Sequence, residues 1–401
     1  MNVDLVRKID YWLGRPACWI LTAAGRLLKP FARKTEGAPR KFLLVELSEM
    51  GSAILAFSTM KALQESFPGA GLFFLIFEKN RPSVDILKTI PPENVLVVSE
   101  KSPLRFLTGL FKVILRMRRE KIDCVFDLEL FARITALLTF LSGAPIRVGF
   151  HRFRMEGLYR GGLHTHLIQY NYQQHIAKSF LSFVKVLAYP AKDWPTMDEA
   201  IRDDELIKPV YRADESAKKN IRDKLKKFYP DLAEDQKLVL FNPSAGEIPI
   251  RAWPIENYIE LARRVLEDPK NVIVLMGAGV DMAATSQVHQ ALAHERCIQF
   301  TGQTTFPELM DLFSIAHLLI TNDSGPAHFA SLTPIHNFVF FGPETPRLYR
   351  PLGENTHILY SDFPCSPCLT AYNHRNTPCQ ISKCLQVISV DEVHDQVKLC
   401  L

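Results

Sequence analysis

The chain has 401 residues, 47% of them hydrophobic and 23% charged, which is enough for two domains with full cores and excludes general disorder. A net charge of +5 is small for this length, so no nucleic-acid partner is expected. Of eight cysteines, Cys18, Cys124, Cys297 and Cys400 are scattered and the others are bunched between Cys365 and Cys384, which excludes a disulfide-dense secreted scaffold and suits a reducing compartment.

Residues 1–36 form a segment of their own. Asp4 and Asp10 interrupt it, Arg15 falls in its apolar centre, and no clean cleavage site follows, so it is not a secretory signal and a cytoplasmic chain is expected. Val3, Leu5, Val6, Ile9, Trp12 and Leu13 recur at helical spacing. The run Ala17 to Ala24, with Trp19 in it, is far shorter than the roughly 20 residues that span a bilayer. Basic residues surround these runs, among them Arg7, Lys8, Arg15, Arg26, Lys29 and Lys34. The pattern suits a helix lying peripherally on the anionic inner face of a membrane, or one packed on the protein's own surface.

After Gly37-Ala38-Pro39 the pattern becomes that of an α/β domain, assigned to residues 37–200. Strands are predicted at residues 41–47, 72–77, 95–98, 123–128 and 146–149, with helices over 53–67 and 106–121. Met50-Gly51-Ser52 forms the turn after the first strand. From Pro190 to Gln236 proline and charge dominate, and residues 201–236 read as a linker. A second alternating set occupies 237–401, with strands at 238–242, 272–276, 298–300, 316–320 and 337–341 and helices at 255–266, 282–293 and 306–314. Two doubly wound, Rossmann-like domains of this kind place a ligand cleft between the carboxyl ends of two sheets.

Candidate ligand positions gather at the strand ends of the second domain. In Asn322-Asp323-Ser324-Gly325-Pro326-Ala327-His328, Asp323 or Ser324 can cap a helix, Gly325 permits close backbone approach, and Pro326 suits an early helical position. The helix end is a natural phosphate site, with His328 on its first turn; an ordinary capped junction with a buried histidine is the alternative. Asn242-Pro243-Ser244-Ala245-Gly246 ends another strand, and Arg251 before Ala252-Trp253-Pro254 can reach a phosphate. Met276-Gly277-Ala278-Gly279 is a glycine turn, and Asp281 can bind ribose hydroxyls or cap the next helix.

With these motifs, and with Phe67-Pro68-Gly69-Ala70, residues 41 to 398 resemble the glycosyltransferase family 9 heptosyltransferases, inverting enzymes that build the inner core of lipopolysaccharide. The resemblance implies a GT-B architecture, in which two Rossmann-like domains face a central cleft, the first binding the acceptor and the second a nucleotide-activated heptose. It implies that Asp323, Ser324, Gly325, Pro326 and His328, with Ser244 and Gly277, hold the diphosphate and sugar, that Arg251 assists the phosphates, and that Asp281 binds the ribose. It further implies ADP-heptose as donor, a lipid-linked glycan as acceptor, the cytoplasmic face of the inner membrane as location, and transfer without cofactor or metal.

One departure bears on mechanism. The family's first glycine turn usually carries an aspartate, thought to deprotonate the acceptor, where this chain has Ser52. An unassisted serine is a poor base at neutral pH, so Glu49 in the same turn is the first candidate and Glu46, the odd residue in an apolar strand, the second. A nucleotide-sugar-binding protein impaired in catalysis, and a nucleotide-sugar epimerase of the same fold class, are the alternative functions.

Cys365, Cys368, Cys379 and Cys384 follow C-x2-C-x10-C-x4-C, with His374 between them. The spacing allows a structural zinc site, or free or paired thiols. Similar C-terminal cysteines occur in many members of the family.

Overall fold

The apolar runs become the strands of two parallel six-stranded sheets in a computed structural model, which describes residues 3–28, 30, 33, 37–151, 158–190, 197, 199–246, 248–373 and 375–401, with only the backbone for 3–7. Lys29, Lys34 and His374, and the side chains of Val3, Leu5, Val6 and Arg7, lie outside what is described. The chain divides into residues 1–207 and 208–401, each holding one sheet.

The first unit runs α1 (Val3–Trp12), α2 (Gly14–Leu28), β1 (Lys41–Val45), α3 (Met50–Leu55), α4 (Phe57–Ser66), β2 (Gly71–Phe77), α5 (Pro82–Asp85), β3 (Val95–Val98), α6 (Pro103–Glu120), β4 (Cys124–Asp127), α7 (Arg133–Leu141), β5 (Ile146–His151), β6 (His166–Gln169) and α8 (Ile176–Lys185). Its strand order is β3-β2-β1-β4-β5-β6. The second runs α9 (Glu215–Lys226), β7 (Lys237–Asn242), α10 (Ile255–Leu266), β8 (Asn271–Leu275), α11 (Met282–Leu292), β9 (Cys297–Gln299), α12 (Phe306–Ile315), β10 (Leu318–Asn322), α13 (Gly325–Ala330), β11 (His336–Phe341), α14 (Pro346–Tyr349), β12 (Thr356–Tyr360), α15 (Lys383–Gln386) and α16 (Val390–Lys398). Its order, β12-β11-β10-β7-β8-β9, is the same doubly wound order read from the opposite edge. Each sheet thus reverses direction once, between β1 and β4 and between β7 and β10, and ligands of such sheets bind outside the strand ends at that reversal.

The central strands are apolar on both faces because helices cover both. Leu43, Val45 and Leu75 meet Leu110, Val113 and Met117 of α6 and Leu138 of α7 on one face of the first sheet. In the second, Val239, Phe241 and Ile320 pack with Leu261 and Val265 of α10 and Val393 of α16.

Two expectations change. The helix predicted over residues 53–67 starts at Met50 and is two helices, divided at Ala56 (φ −78°, ψ −2°), so Gly51 and Ser52 sit in a first helical turn rather than in a loop. Residues 208–236, read as linker, are part of the second unit: Ile221 and Leu225 of α9 are buried, Lys224 pairs with Glu308 at 2.7 Å, and the Tyr211 hydroxyl donates to Asp311 at 2.7 Å. Charge density on the outer face of α9 hides this packing in the sequence. Of the two readings of the N-terminal helices, packing on the protein's own surface is seen for α2, which lies on α7 through Cys18 and Ala136 in the first unit. The Asp10 carboxylate accepts from the backbone N–H groups of Arg133 and Ile134 at 2.9 and 3.2 Å, capping α7, and from the buried Arg133 guanidinium at 2.8 Å.

Candidate active site

At the reversal of the second sheet, β7 and β10 end side by side and the Asn322 side chain ties their loops together. Its amide donates to the carbonyls of Pro243 and Ser244, both at 3.1 Å, and its oxygen accepts from the Trp253 backbone at 2.9 Å and the Tyr258 hydroxyl at 3.1 Å. The strand-end turns that hold Ser244 and Asp323 and the segment before α10 that carries Arg251 are therefore one assembly.

Arg251 sits beside Asp323, 3.6 Å from its carboxylate, and 2.9 Å from Glu344, an acid that the sequence reading missed. The side chains of Arg251, Asp323 and Glu344 are only 12%, 8% and 2% exposed. Burial alone would lower the guanidinium, but Asp323 and Glu344 outweigh it and keep Arg251 cationic. Burial raises both carboxyls above the usual range, against the pull of Arg251. Glu344 follows β11, the neighbour of β10, so it reaches the same sheet edge; its place after a glycine and a proline at a strand end was the available signal.

Ser324 occupies the cap position of α13, extended at φ −158° and ψ 174°, but its hydroxyl donates back to the Asn322 carbonyl at 3.1 Å and caps no helical N–H. Gly325 and Pro326 open the helix and His328 is buried on its first turn. Gly277 and Asp281 belong to the neighbouring turn, where the Asp281 carboxylate accepts from the Ala278 N–H at 2.7 Å within the turn and makes no side-chain bond to the first N–H groups of α11, the helix it was expected to cap.

At the reversal of the first sheet three acids cluster. The Glu46 carboxylate, 3% exposed as a residue, accepts from the Glu49 N–H at 3.2 Å, and the Ser52 hydroxyl donates to Glu49 at 2.9 Å. Glu129, after β4, was not foreseen: one oxygen accepts from the N–H groups of Leu47 and Ser48 and from the Ser48 hydroxyl, each at 2.9 Å. Burial raises its carboxyl above the ordinary range.

The cysteine segment braces the Glu344 turn. The N–H groups of Cys368 and Leu369 donate to the Pro343 carbonyl at 2.9 and 2.8 Å, and Arg375 holds Glu344 at 3.0 Å. Cys384 is buried, and burial, with lesser contributions from the thiols of Cys368, Cys365 and Cys379, pushes its thiol up to about 11. The four thiols do not reach metal-ligand spacing; among the described residues that spacing is met by His336, His357 and Cys400, whose ligand atoms lie within 4.8 Å of one another.

The model of glycosyltransferase family 9 (heptosyltransferase) matches residues 110–377. The chain belongs to glycosyltransferase family 9. It is 24% identical to lipopolysaccharide heptosyltransferase 2 of Escherichia coli K12 over 330 residues, 80% of this chain and 87% of that one. It is 22% identical to the lipopolysaccharide core heptosyltransferase OpsX of Haemophilus influenzae over 302 residues, 74% and 78% of the two chains. The fold matches that of E. coli ADP-heptose lps heptosyltransferase II with a TM-score of 0.68 at 21% identity, covering 90% of this chain and 98% of that one. It matches E. coli heptosyltransferase WaaC with ADP at 0.60 and 16% identity, covering 90% and 100%. Family 9 membership makes the chain a glycosyltransferase of GT-B architecture, and the strand-end turns of its two sheets are where that chemistry is sought.

Proposed function

We propose that this family 9 chain transfers heptose from ADP-heptose to a lipid-linked lipopolysaccharide-core acceptor, with inversion at the sugar carbon and without a metal ion. The observation that carries the reading is the buried Arg251, steered by Asp323 and Glu344 beside the turn that opens α13. A guanidinium and helix-end N–H groups there offset charge on the departing nucleoside diphosphate, the task that a metal performs in other transferases. Ser244, Gly277, Ser324, Gly325, Pro326 and His328 line the donor side, and the ribose falls to Asp281. Heptosyltransferase relatives spanning most of the chain support the donor and the acceptor class.

For the acceptor we assign Glu49 as the base. It is half-buried and hydrogen-bonded to Ser52, whereas Glu46 lies beneath the turn and braces it. Inversion follows if the acceptor hydroxyl, losing its proton to Glu49, attacks the anomeric carbon from the face opposite the leaving diphosphate. Reaction at the cytoplasmic face of the inner membrane fits the N-terminal helices; no described helix is long and apolar enough to cross a membrane.

The test is release of ADP from ADP-heptose with and without a core acceptor, in buffer containing EDTA. Release that needs acceptor and survives EDTA is the expected result. Isomerised donor without acceptor would move the reading to an epimerase, and binding without turnover to a non-catalytic sugar-nucleotide protein. A thermal-shift panel of ADP-, GDP- and UDP-sugars checks the base of the donor.

A further inference from the structure

We infer that α6, together with α1 and α2, forms a docking face for an anionic lipid surface; the inference extends the proposed use of a lipid-linked acceptor. α6 carries two apolar stripes where a helix on a sheet needs one. Leu110, Val113 and Met117 are buried on the sheet, while Leu104, Leu107, Phe111 and Leu115, spaced to share one stripe, are 71%, 62%, 63% and 51% exposed. Beside that second stripe run Arg105, Lys112, Arg116 and Arg119, all exposed. Arg116 pairs with Glu120 at 2.9 Å; Arg105, Lys112 and Arg119 have no ion-pair partner among the described residues.

The N-terminal helices repeat the arrangement on the same side of the sheet. α6 and α7 cover one face of it together, and α2 packs on α7. Trp12, Leu13, Trp19 and Leu27 are 71%, 67%, 65% and 78% exposed. Every charged side chain described as exposed on α1, α2 and α6 is basic: Lys8, Arg15 and Arg26 join the arginines and lysine of α6. Large apolar groups in such number on one side of a domain mark an interaction surface.

Charge decides the occupant. A second copy of the chain docked face to face would bring these basic stripes together without counter-ions. An anionic leaflet supplies the counter-ions from its headgroups and an apolar layer for the tryptophans, leucines and phenylalanine beneath them.

The experiment is co-sedimentation of the full chain with vesicles of phosphatidylglycerol and phosphatidylethanolamine, against vesicles of phosphatidylcholine alone. Wild type should partition onto the anionic vesicles and weakly onto the neutral ones. The pair Leu107→Gln and Phe111→Gln should reduce partitioning on the order of tenfold, and Arg105→Glu with Lys112→Glu by at least as much, with loss confined to anionic vesicles. These side chains are exposed, and an unchanged melting temperature confirms that each variant folds. Equal partitioning of wild type and variants overturns the inference, as does a dimer in sedimentation equilibrium that the Gln pair dissolves while vesicle binding is absent. Transfer by wild type to a soluble, delipidated core acceptor tests the proposed reaction separately. Vesicle binding without transfer would overturn the reaction alone, and transfer without vesicle binding the docking face alone.

Discussion

Glu344 grips Arg251 at 2.9 Å through one carboxylate oxygen while Arg375, from the cysteine segment, holds the other at 3.0 Å. The cation proposed to meet the donor diphosphate is thus aimed by an acid that a distant loop keeps in place. Arg251→Ala should lower kcat/KM for ADP-heptose by about 10²-fold or more, the size expected for a charge-stabilising donor. Glu344→Gln, which keeps the shape and can put an amide N–H in place of an oxygen that holds Arg251 or Arg375, should raise donor KM more than it lowers kcat. Steady-state kinetics at varied donor concentration measure both; unchanged kinetics for Arg251→Ala would remove it from the donor site.

Across the chain, in the first unit, Glu49→Gln should reduce kcat by about 10²-fold with donor affinity retained. Glu46→Gln should act mainly on stability, because its carboxylate holds the Glu49 N–H within the turn. A reversed pattern would make Glu46 the base, and wild-type rates in both variants would remove both acids from the chemistry.

Gly342 is the point where the cysteine segment presses on the strand-end turn. A Cβ built there would lie 2.5 Å from Leu385 Cγ and 3.0 Å from Cys384 Sγ. Gly342→Ala should therefore cost about 1–3 kcal/mol of stability as an overpacked site. Because Glu344 rides on the same turn, donor KM should rise with it; denaturant titration and donor kinetics provide the two readings.

His164 gives the first unit a sensitivity to acid. Its ring is enclosed, with Nε2 3.1 Å from Asp127, and burial lowers its pKa to about 4 from an ordinary 6.5. An unfolded chain takes up this proton between pH 6.5 and about 4 while the folded chain refuses it, so the stability is whole above 6.5 and lost as pH falls through that window. The loss amounts to about 3 kcal/mol at the lower end. His164→Gln should flatten stability over this range; an unchanged slope in urea titrations would place the effect elsewhere.

The central strands were legible because they are continuous apolar runs, such as Leu238 to Phe241, that only a doubly covered parallel sheet can bury. β6 and β12 were not. They are edge strands in which only Ile168 and Leu359 are buried, so half-solvated residues leave no run to recognise. The division at Ala56 was equally hidden, since neither glycine nor proline marks it. At the candidate site, the turn motifs point only to the residues they contain, whereas Glu129 and Glu344 lie in loops whose neighbours are set by strand order and not by sequence distance. The cysteine spacing is a similar case. It suggests metal ligation locally, while in space it supports the turn beneath Arg251.

The clasp between Asp10 and Arg133 makes the N-terminal segment, separate in its sequence pattern, a keystone of the first unit. A chain begun at Lys41 would strand a guanidinium that is 2% exposed without its counter-ion, uncap α7 and strip the cover from Cys18's neighbours Ala136 and Leu163. Trimming this protein for crystallisation or expression at the apparent domain edge would cut into its interior, and any activity so lost would say nothing about where the enzyme works.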